Sequence, residues 1–284
     1  MFFTIFTPTY NRQEYLKILY HSLINQSFKD FEWLIIDDGS TDNTELEITS
    51  FIDENKIKIR YHKQVNGGKH RAINKATDLA VGKYFFIVDS DDYLPNDSLS
   101  IIKTKIDILK NNNVIGVVGL RQSNKGIYLG DKFPKDDMVL NHIERSYDLK
   151  LKGDYAEVTR TDIIKKFKFP DFKQEKFCAE SLIWNRIANS NYRFLCFNKV
   201  VYSGEYLEEG LTKNSINNRR KNNRYASLLY DELSKSKISM IQKVRANINY
   251  LRFVSFERIR INSFIRFFCL PLGLFIKCRD YLIK

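Results

Sequence analysis

Residues 83 to 99 read KYFFIVDSDDYLPNDSL. The apolar run from Tyr84 to Val88 ends in three carboxylates within four positions, Asp89, Asp91 and Asp92. Like charges this close repel and push one another's pKa up. A hard cation, which takes several carboxylate oxygens at short range, would offset that cost. The same letters also make an ordinary solvated turn, since Asp, Ser, Pro and Asn all favour turns.

Three more polar clusters carry chemistry of a related kind: TPTYNR (7 to 12), DDGS (37 to 40) and NGGKH (66 to 70). Taken singly, Asp-Gly-Ser and Asn-Gly-Gly are turns by default. Taken together they offer glycines that allow close backbone approach, Lys69 at a helix start and carboxylates for a cation, which suits a diphosphate. Tyr10 adds a flat face for a base, and Asp38 an acceptor for a nucleobase N–H. These parts point to a nucleoside diphosphate ligand. Neither GxxxxGK[ST] nor GxGxxG occurs, which disfavours an ATPase or a dinucleotide-dependent dehydrogenase.

The elements that must hold these clusters follow from periodicity. Strands are expected at 2–7, 31–37, at IKIRYH (57 to 62), at 84–88 and at 114–120; helices are expected at 12–26, 40–54, 69–80 and 97–110. Asp42 and Glu45 have capping-box spacing at the second helix. Alternation of this kind predicts an α/β domain with a mostly parallel sheet. Ligands of such sheets bind beyond the carboxyl ends of the strands, where all four clusters fall.

Of the 284 residues 43% are hydrophobic, enough for a large core and too many for a disordered chain. Cys178, Cys196, Cys269 and Cys278 show neither CxxC spacing nor histidine partners, so no zinc site or disulfide framework is expected, and a reducing cytoplasm fits. MFFTIFTPTYNR lacks a basic leader and a small-residue cleavage site and reads as a first strand. Phe267 to Ile276, the longest apolar stretch, is broken by Pro271 and Gly273 and is too short to span a bilayer. From Ser215 onward Lys and Arg number 15 against 4 Asp and Glu, whereas the first 214 residues are close to neutral. The chain therefore divides into a body (1–214) and a basic helical extension (215–284).

FTPTYNR, LIIDDGSTDNT, NGGKHRAINKA and GKYFFIVDSDDYLP together resemble the nucleotide-sugar-binding half of family 2 glycosyltransferases of the GT-A fold. The resemblance is dense over residues 2 to 100 and thinner to about 213. It implies a GT-A-type domain with a nucleotide-sugar-binding half (1–120) and an acceptor half (121–214). Pro8, Thr9 and Tyr10 would line the nucleoside pocket, and Asp38 would hydrogen-bond uracil. Asp89 would face the ribose or metal, Asp91 would coordinate Mn²⁺ or Mg²⁺ on the diphosphate of a UDP-sugar, and Asp92 would face the donor sugar or the metal.

An inverting transfer needs a carboxylate to deprotonate the acceptor hydroxyl. The family usually shows a Glu-Asp pair with an Arg six residues after the base; here Glu180, between Ala179 and Ser181, lies six before Arg186 and is assigned that role. Glu175 and Asp154 are rival carboxylates. YSGEYLEEGLT (202 to 212), with Glu205, Glu208 and Glu209, corresponds to a segment that folds over the donor in similar proteins, or is a surface loop.

In the extension, Ile241, Val244, Ile248 and Leu251 form one stripe among interspersed Lys and Arg, followed by FIRFFCLPLGLFI. Basic charge beside aromatic groups suits an anionic membrane surface reached through residues 219–284, and with it a lipid-linked or saccharide acceptor at the inner face of a membrane. The alternative is a helical appendage whose charges face water. A sugar nucleotidyltransferase would need a Gly-rich, basic loop after the first strand, which TPTYNRQEYL does not supply. A pI near 9.3 raises a nucleic-acid binder, but the body carries no such motif, and no nucleic-acid partner is expected.

Overall fold

The computed structural model describes residues 1–205 and 215–282. The elements follow the expected alternation: β1 (Phe3–Thr9), α1 (Gln13–Ile24), β2 (Phe31–Asp37), α2 (Thr44–Asp53), β3 (Lys58–Lys63), α3 (Lys69–Leu79), β4 (Tyr84–Ile87), α4 (Ser98–Asp107) and β5 (Val114–Gln122). After them come β6 (Met138–Leu140), β7 (Tyr155–Arg160), α5 (Thr161–Ile164), α6 (Ser181–Asn189) and β8 (Arg193–Ser203). The C-terminal helices are α7 (Ser215–Lys221), α8 (Asn223–Lys235), α9 (Met240–Phe253) and α10 (Phe264–Leu282).

Two compact units result. The first comprises residues 1–141, 151–168 and 191–205 and holds one eight-stranded sheet of order β3-β2-β1-β4-β7-β5-β8-β6. Strands β3, β2, β1 and β4 run parallel, and β7 is antiparallel to both β4 and β5. The inner strands β1, β2 and β4 are largely apolar because helices cover both faces of such a sheet; β2 is buried at every position, whereas the edge strand β3 is only partly covered. Tyr20 of α1, Trp33 of β2 and Phe51 of α2 stack in the core, with Tyr20 and Phe51 ring centroids 4.2 Å apart. Register places Thr9 opposite Asp37 and Asp37 opposite Lys63, so the carboxyl ends of β1, β2 and β3 open at one edge.

The expected capping box at α2 forms only in part. Asp42 Oδ1 accepts from Thr44 N at 3.0 Å, and Asn43 is the N-cap residue. Glu45 instead pairs with Lys63 at 2.9 Å, because β3 runs beside the start of α2 and offers it a cation.

The second unit comprises residues 142–150 and 169–190 with the C-terminal helices. Thus α6, with Glu180 at its N-cap, belongs to the same compact unit as α8, α9 and α10. Ile143, Ala188, Leu233, Ile238 and Ala246 form one core there, and Tyr250, Leu251, Val254 and Cys269 another. Val244 and Ile248 pack on the latter, as the stripe along α9 predicts, while Ile241 is exposed one turn too early to reach it. Pro271 does not end α10. Gly273 lets α10 lie against α9: a Cβ there would come within 2.5 Å of Leu251 Cβ.

Candidate functional site

The loops beyond β1, β2, β3 and β4 are tied into one structure. Asp38 N donates to Thr9 O at 2.8 Å, joining the ends of β1 and β2. The Asp38 side chain, 5% exposed, then gathers the glycine loop. Its Oδ1 accepts from Gln64 Nε2 (2.7 Å) and Gly67 N (2.8 Å), and its Oδ2 accepts from Gly68 N (2.7 Å). Of about four acceptor positions on a carboxylate, three are thus filled by the protein. Gly68 has φ +96° as the N-cap of α3, a backbone conformation that suits glycine, and it delivers Lys69 to the first turn of the helix.

Asn11, with φ 52°, fixes the loop after β1, accepting at Oδ1 from Thr41 N (2.8 Å). Tyr10 is 47% exposed, while Thr9 is buried with its hydroxyl unpaired among the described residues. Pro8 is half-buried.

The three carboxylates after β4 have separate fates. Asp89 Oδ1 lies 2.5 Å from Lys69 Nζ. Burial works to raise the Asp89 carboxyl, but the Lys69 ammonium, with Arg121 and Arg12 beyond it, outweighs burial and holds it below the usual carboxylate range. Asp92 Oδ2 accepts from Arg121 Nη2 and from the Tyr202 hydroxyl, each at 2.8 Å. Burial pushes Asp92 up to about 7, against the pull of Arg121, and Asp89 adds to the rise. Asp91 is raised by burial and then by Asp89; among the described residues no ion pair forms on it. Lys69 and Arg121 therefore offset part of the repulsion for which the sequence alone suggested a bound cation.

Arg121 and Tyr202 are neighbours of these carboxylates that sequence reading missed. Arg121 stacks on the Tyr202 ring at 3.9 Å, and Tyr202 OH also accepts from Asp89 N at 2.9 Å. For Arg121 the available signal is a charged residue directly after the apolar strand VIGVVGL. Tyr202 gave none, since it falls in what reads as a loop and instead closes β8. Gly204 follows it because a side chain would not fit: a Cβ would lie 1.6 Å from Asp92 Oδ1.

In the second unit Glu180 occupies the N-cap of α6 without a side-chain cap bond, its carbonyl accepting from Ile183 N and Trp184 N. Arg186, on the same helix, is held by Glu232 through two bonds of 2.8 and 2.7 Å. Glu175 is 8% exposed and accepts from Arg224 N (3.0 Å) and Tyr225 N (3.1 Å), capping α8 from 49 residues away. Both its oxygens thus serve the start of α8. Asp154, in the first unit, stands just before β7. Glu205 Oε1 accepts from Asn124 N at 2.9 Å, whereas Glu208 and Glu209 lie outside the described residues.

The donor set fits a hard divalent cation of one kind. Among the described residues no three Asp, Glu, His or Cys side chains form a metal cage. Mg²⁺ and Mn²⁺ sites of the phosphate-binding kind use one or two carboxylates and take their other oxygens from the substrate. Asp91, with no cation of its own, matches that pattern.

The sequence profile of glycosyl transferase family 2 matches residues 4–167. The chain belongs to glycosyl transferase family 2. Chondroitin synthase of Pasteurella multocida (strain Pm70) is 39% identical over 98 residues, which are 34% of this family 2 chain and 10% of that relative. The chain thus spans only a small part of that relative's length. Among solved structures, S. aureus TarS 1–349 in complex with UDP-GlcNAc has a TM-score of 0.64 at 21% identity, covering 96% of this chain and 80% of that one. The mannosyltransferase PcManGT of Pyrobaculum calidifontis, in complex with GDP-Man and Mn²⁺, has a TM-score of 0.59 at 16% identity, covering 99% of this chain and 75% of that one. These structures share the GT-A fold with this family 2 protein.

Proposed function

We propose that this protein is an inverting glycosyltransferase that moves a sugar from a UDP-sugar to a saccharide or lipid-linked acceptor in cell-surface polysaccharide synthesis. The observation that carries this reading is the sorting of the three carboxylates at the ends of the parallel strands. Lys69 neutralises Asp89 and Arg121 neutralises Asp92, which leaves Asp91 as the metal ligand. Family membership and the UDP-GlcNAc complex of TarS support the choice of donor.

In this reading Tyr10 stacks on the uracil, and Pro8 and Thr9 form the wall beside it. The Thr9 hydroxyl, unpaired in its buried position, is available to a polar group of the nucleoside. Asp38 acts on the nucleoside side by fixing the Gly67–Gly68 loop, with one acceptor position of Oδ2 remaining for uracil N3–H. Asp89 lies beside the ribose, and Lys69 meets the diphosphate at the N-terminus of α3. Asp92, oriented by Arg121 and Tyr202, faces the donor sugar. Asp91 would hold a Mn²⁺ or Mg²⁺, which would supply positive charge to the leaving diphosphate.

Glu180 is the proposed base, from its position six residues before Arg186. It takes the proton of the acceptor hydroxyl as that oxygen bonds to the anomeric carbon. The bond from that carbon to the diphosphate oxygen breaks, its electron pair leaves with UDP, and configuration inverts. The basic C-terminal extension, residues 219–284, faces an anionic membrane, which puts the protein at the cytoplasmic side as a peripheral enzyme; no described helix is long and apolar enough to cross a bilayer.

The test is a pair of variants. Asp91→Ala should abolish metal-dependent UDP binding, whereas Glu180→Gln should keep UDP binding and lose turnover by about 100-fold or more. Full turnover in Glu180→Gln would move the base to Glu175 or Asp154.

A further inference from the structure

Helix α10 is built inside out. Its face toward α9 carries Arg266, Lys277 and Asp280, all under 8% exposed, around Cys269 and Gly273. Each buried charge is answered. Arg266 donates to Asp231 (2.7 Å) and Asn247 (2.8 Å), and lies over the Tyr250 ring. Lys277 donates to the Val254 carbonyl, and Asp280 pairs with Arg252 (2.5 Å) and Arg220 (3.0 Å). Charges are among the most costly groups to bury, so water alone does not explain a helix that turns them inward.

The opposite face explains it. Phe264, Phe267, Phe268, Leu272 and Phe275 recur at helical spacing and are 50 to 79% exposed. In the preceding loop Phe256 and Ile261 are exposed too, with exposed Arg258 and Arg260 and a single exposed anion, Glu257, between them. Tyr250 OH holds that loop in place, donating to Arg258 O (3.2 Å) and accepting from Arg260 N (3.1 Å). An exposed apolar patch of this extent, bordered by cations, marks an interaction surface.

Charge decides between occupants. From Ser215 the chain carries 15 Lys and Arg against 4 Asp and Glu, so a second copy would bring like charge to this face. An anionic lipid surface brings the opposite charge together with an apolar layer beneath it. We propose that α10 and its preceding loop are an interfacial anchor. The Phe and Leu side chains enter the acyl boundary, and Arg258 and Arg260 meet the anionic headgroups. This deepens the membrane partner named above; it does not depend on sugar transfer.

The full chain would be sedimented with phosphatidylcholine vesicles, and with vesicles containing about 30% phosphatidylglycerol, at low and high salt. Binding to the anionic vesicles is expected. Phe267→Ser with Phe268→Ser should weaken it by about tenfold or more. Arg258→Ser with Arg260→Ser should weaken it about tenfold on anionic vesicles only. As a second readout, Phe268→Trp should show fluorescence quenched by brominated lipid. All these positions are exposed, and circular dichroism checks that the variants fold. Absent vesicle binding, or binding unchanged in the double Phe variant and an unquenched Trp, would overturn the proposal. So would a dimer in sedimentation velocity that the same Phe substitutions dissociate. UDP titration of the same samples separates the two readings: UDP binding with no vesicle binding sinks the anchor alone, and the reverse sinks the donor reading alone.

Discussion

Substituting Gly204 by alanine tests whether Asp92 is held where the structure puts it. A Cβ added at position 204 would lie 1.6 Å from Asp92 Oδ1 and 2.4 Å from its Cγ, so the carboxylate must leave its position. Gly204 is not in the left-handed region, so the cost arises from contact and not from backbone strain. Displacement breaks two hydrogen bonds of 2.8 Å, from Arg121 and from Tyr202. Bonds to a charged group contribute about 1.5–3 kcal/mol each, which gives a loss of about 3–6 kcal/mol. The assay is urea unfolding of a double-mutant cycle with Asp92→Ala, which removes the clashing carboxylate. Gly204→Ala should cost at least about 3 kcal/mol in the parent chain and under about 1 kcal/mol in the Asp92→Ala background. Equal costs in both backgrounds, or a loss below about 0.5 kcal/mol in the parent, would refute the packing of Gly204 on Asp92.

Two further effects follow from the second unit. Glu175→Gln should lower stability by about 1–2 kcal/mol, the usual effect of losing a helix cap, and leave UDP affinity unchanged; a fall in turnover with no change in stability would return Glu175 to the catalytic machinery. His142 Nδ1 faces the Arg145 guanidinium at 3.2 Å, and burial followed by that charge depresses its pKa from 6.5 to about 3. On acidification the unfolded chain takes up this proton first, so stability is complete above about 6.5 and falls as the pH drops toward 3. Between pH 7 and 5 the parent chain should lose about 2 kcal/mol relative to His142→Asn in denaturant titrations, a comparison in which the opposite contribution of Asp92 cancels.

Four of the first five strands were legible as short apolar runs closed by turn residues, and β3, KIRYHK, by its alternation of charged and bulkier residues; their parallel order followed from the helices between them. The polar clusters at their ends were legible for the same reason: TPTYNR, DDGS, NGGKH and DSDD interrupt a clear pattern. Arg121 and Tyr202 were not, since they reach Asp92 from 29 and 110 residues away and only the pairing of β5 with β7 and β8 brings them near. Glu175 looked like a candidate base because a carboxylate beside a helix start has the same sequence signature whether it serves a substrate or the helix. Its use on Arg224 and Tyr225 is a tertiary fact. Likewise FIRFFCLPLGLFI reads as a broken apolar segment, and only its packing shows which face is turned outward and that Pro271 is accommodated within the helix.

The central claim is that the sheet edge binds a UDP-sugar through a metal on Asp91. Calorimetric titration of UDP into the protein with Mn²⁺ and with a chelator, beside GDP and ADP, tests it most directly. Binding that is selective for UDP, requires Mn²⁺ and disappears in Asp91→Ala is the predicted result. UDP binding that is as tight in chelator, or unaltered by Asp91→Ala, would contradict the account.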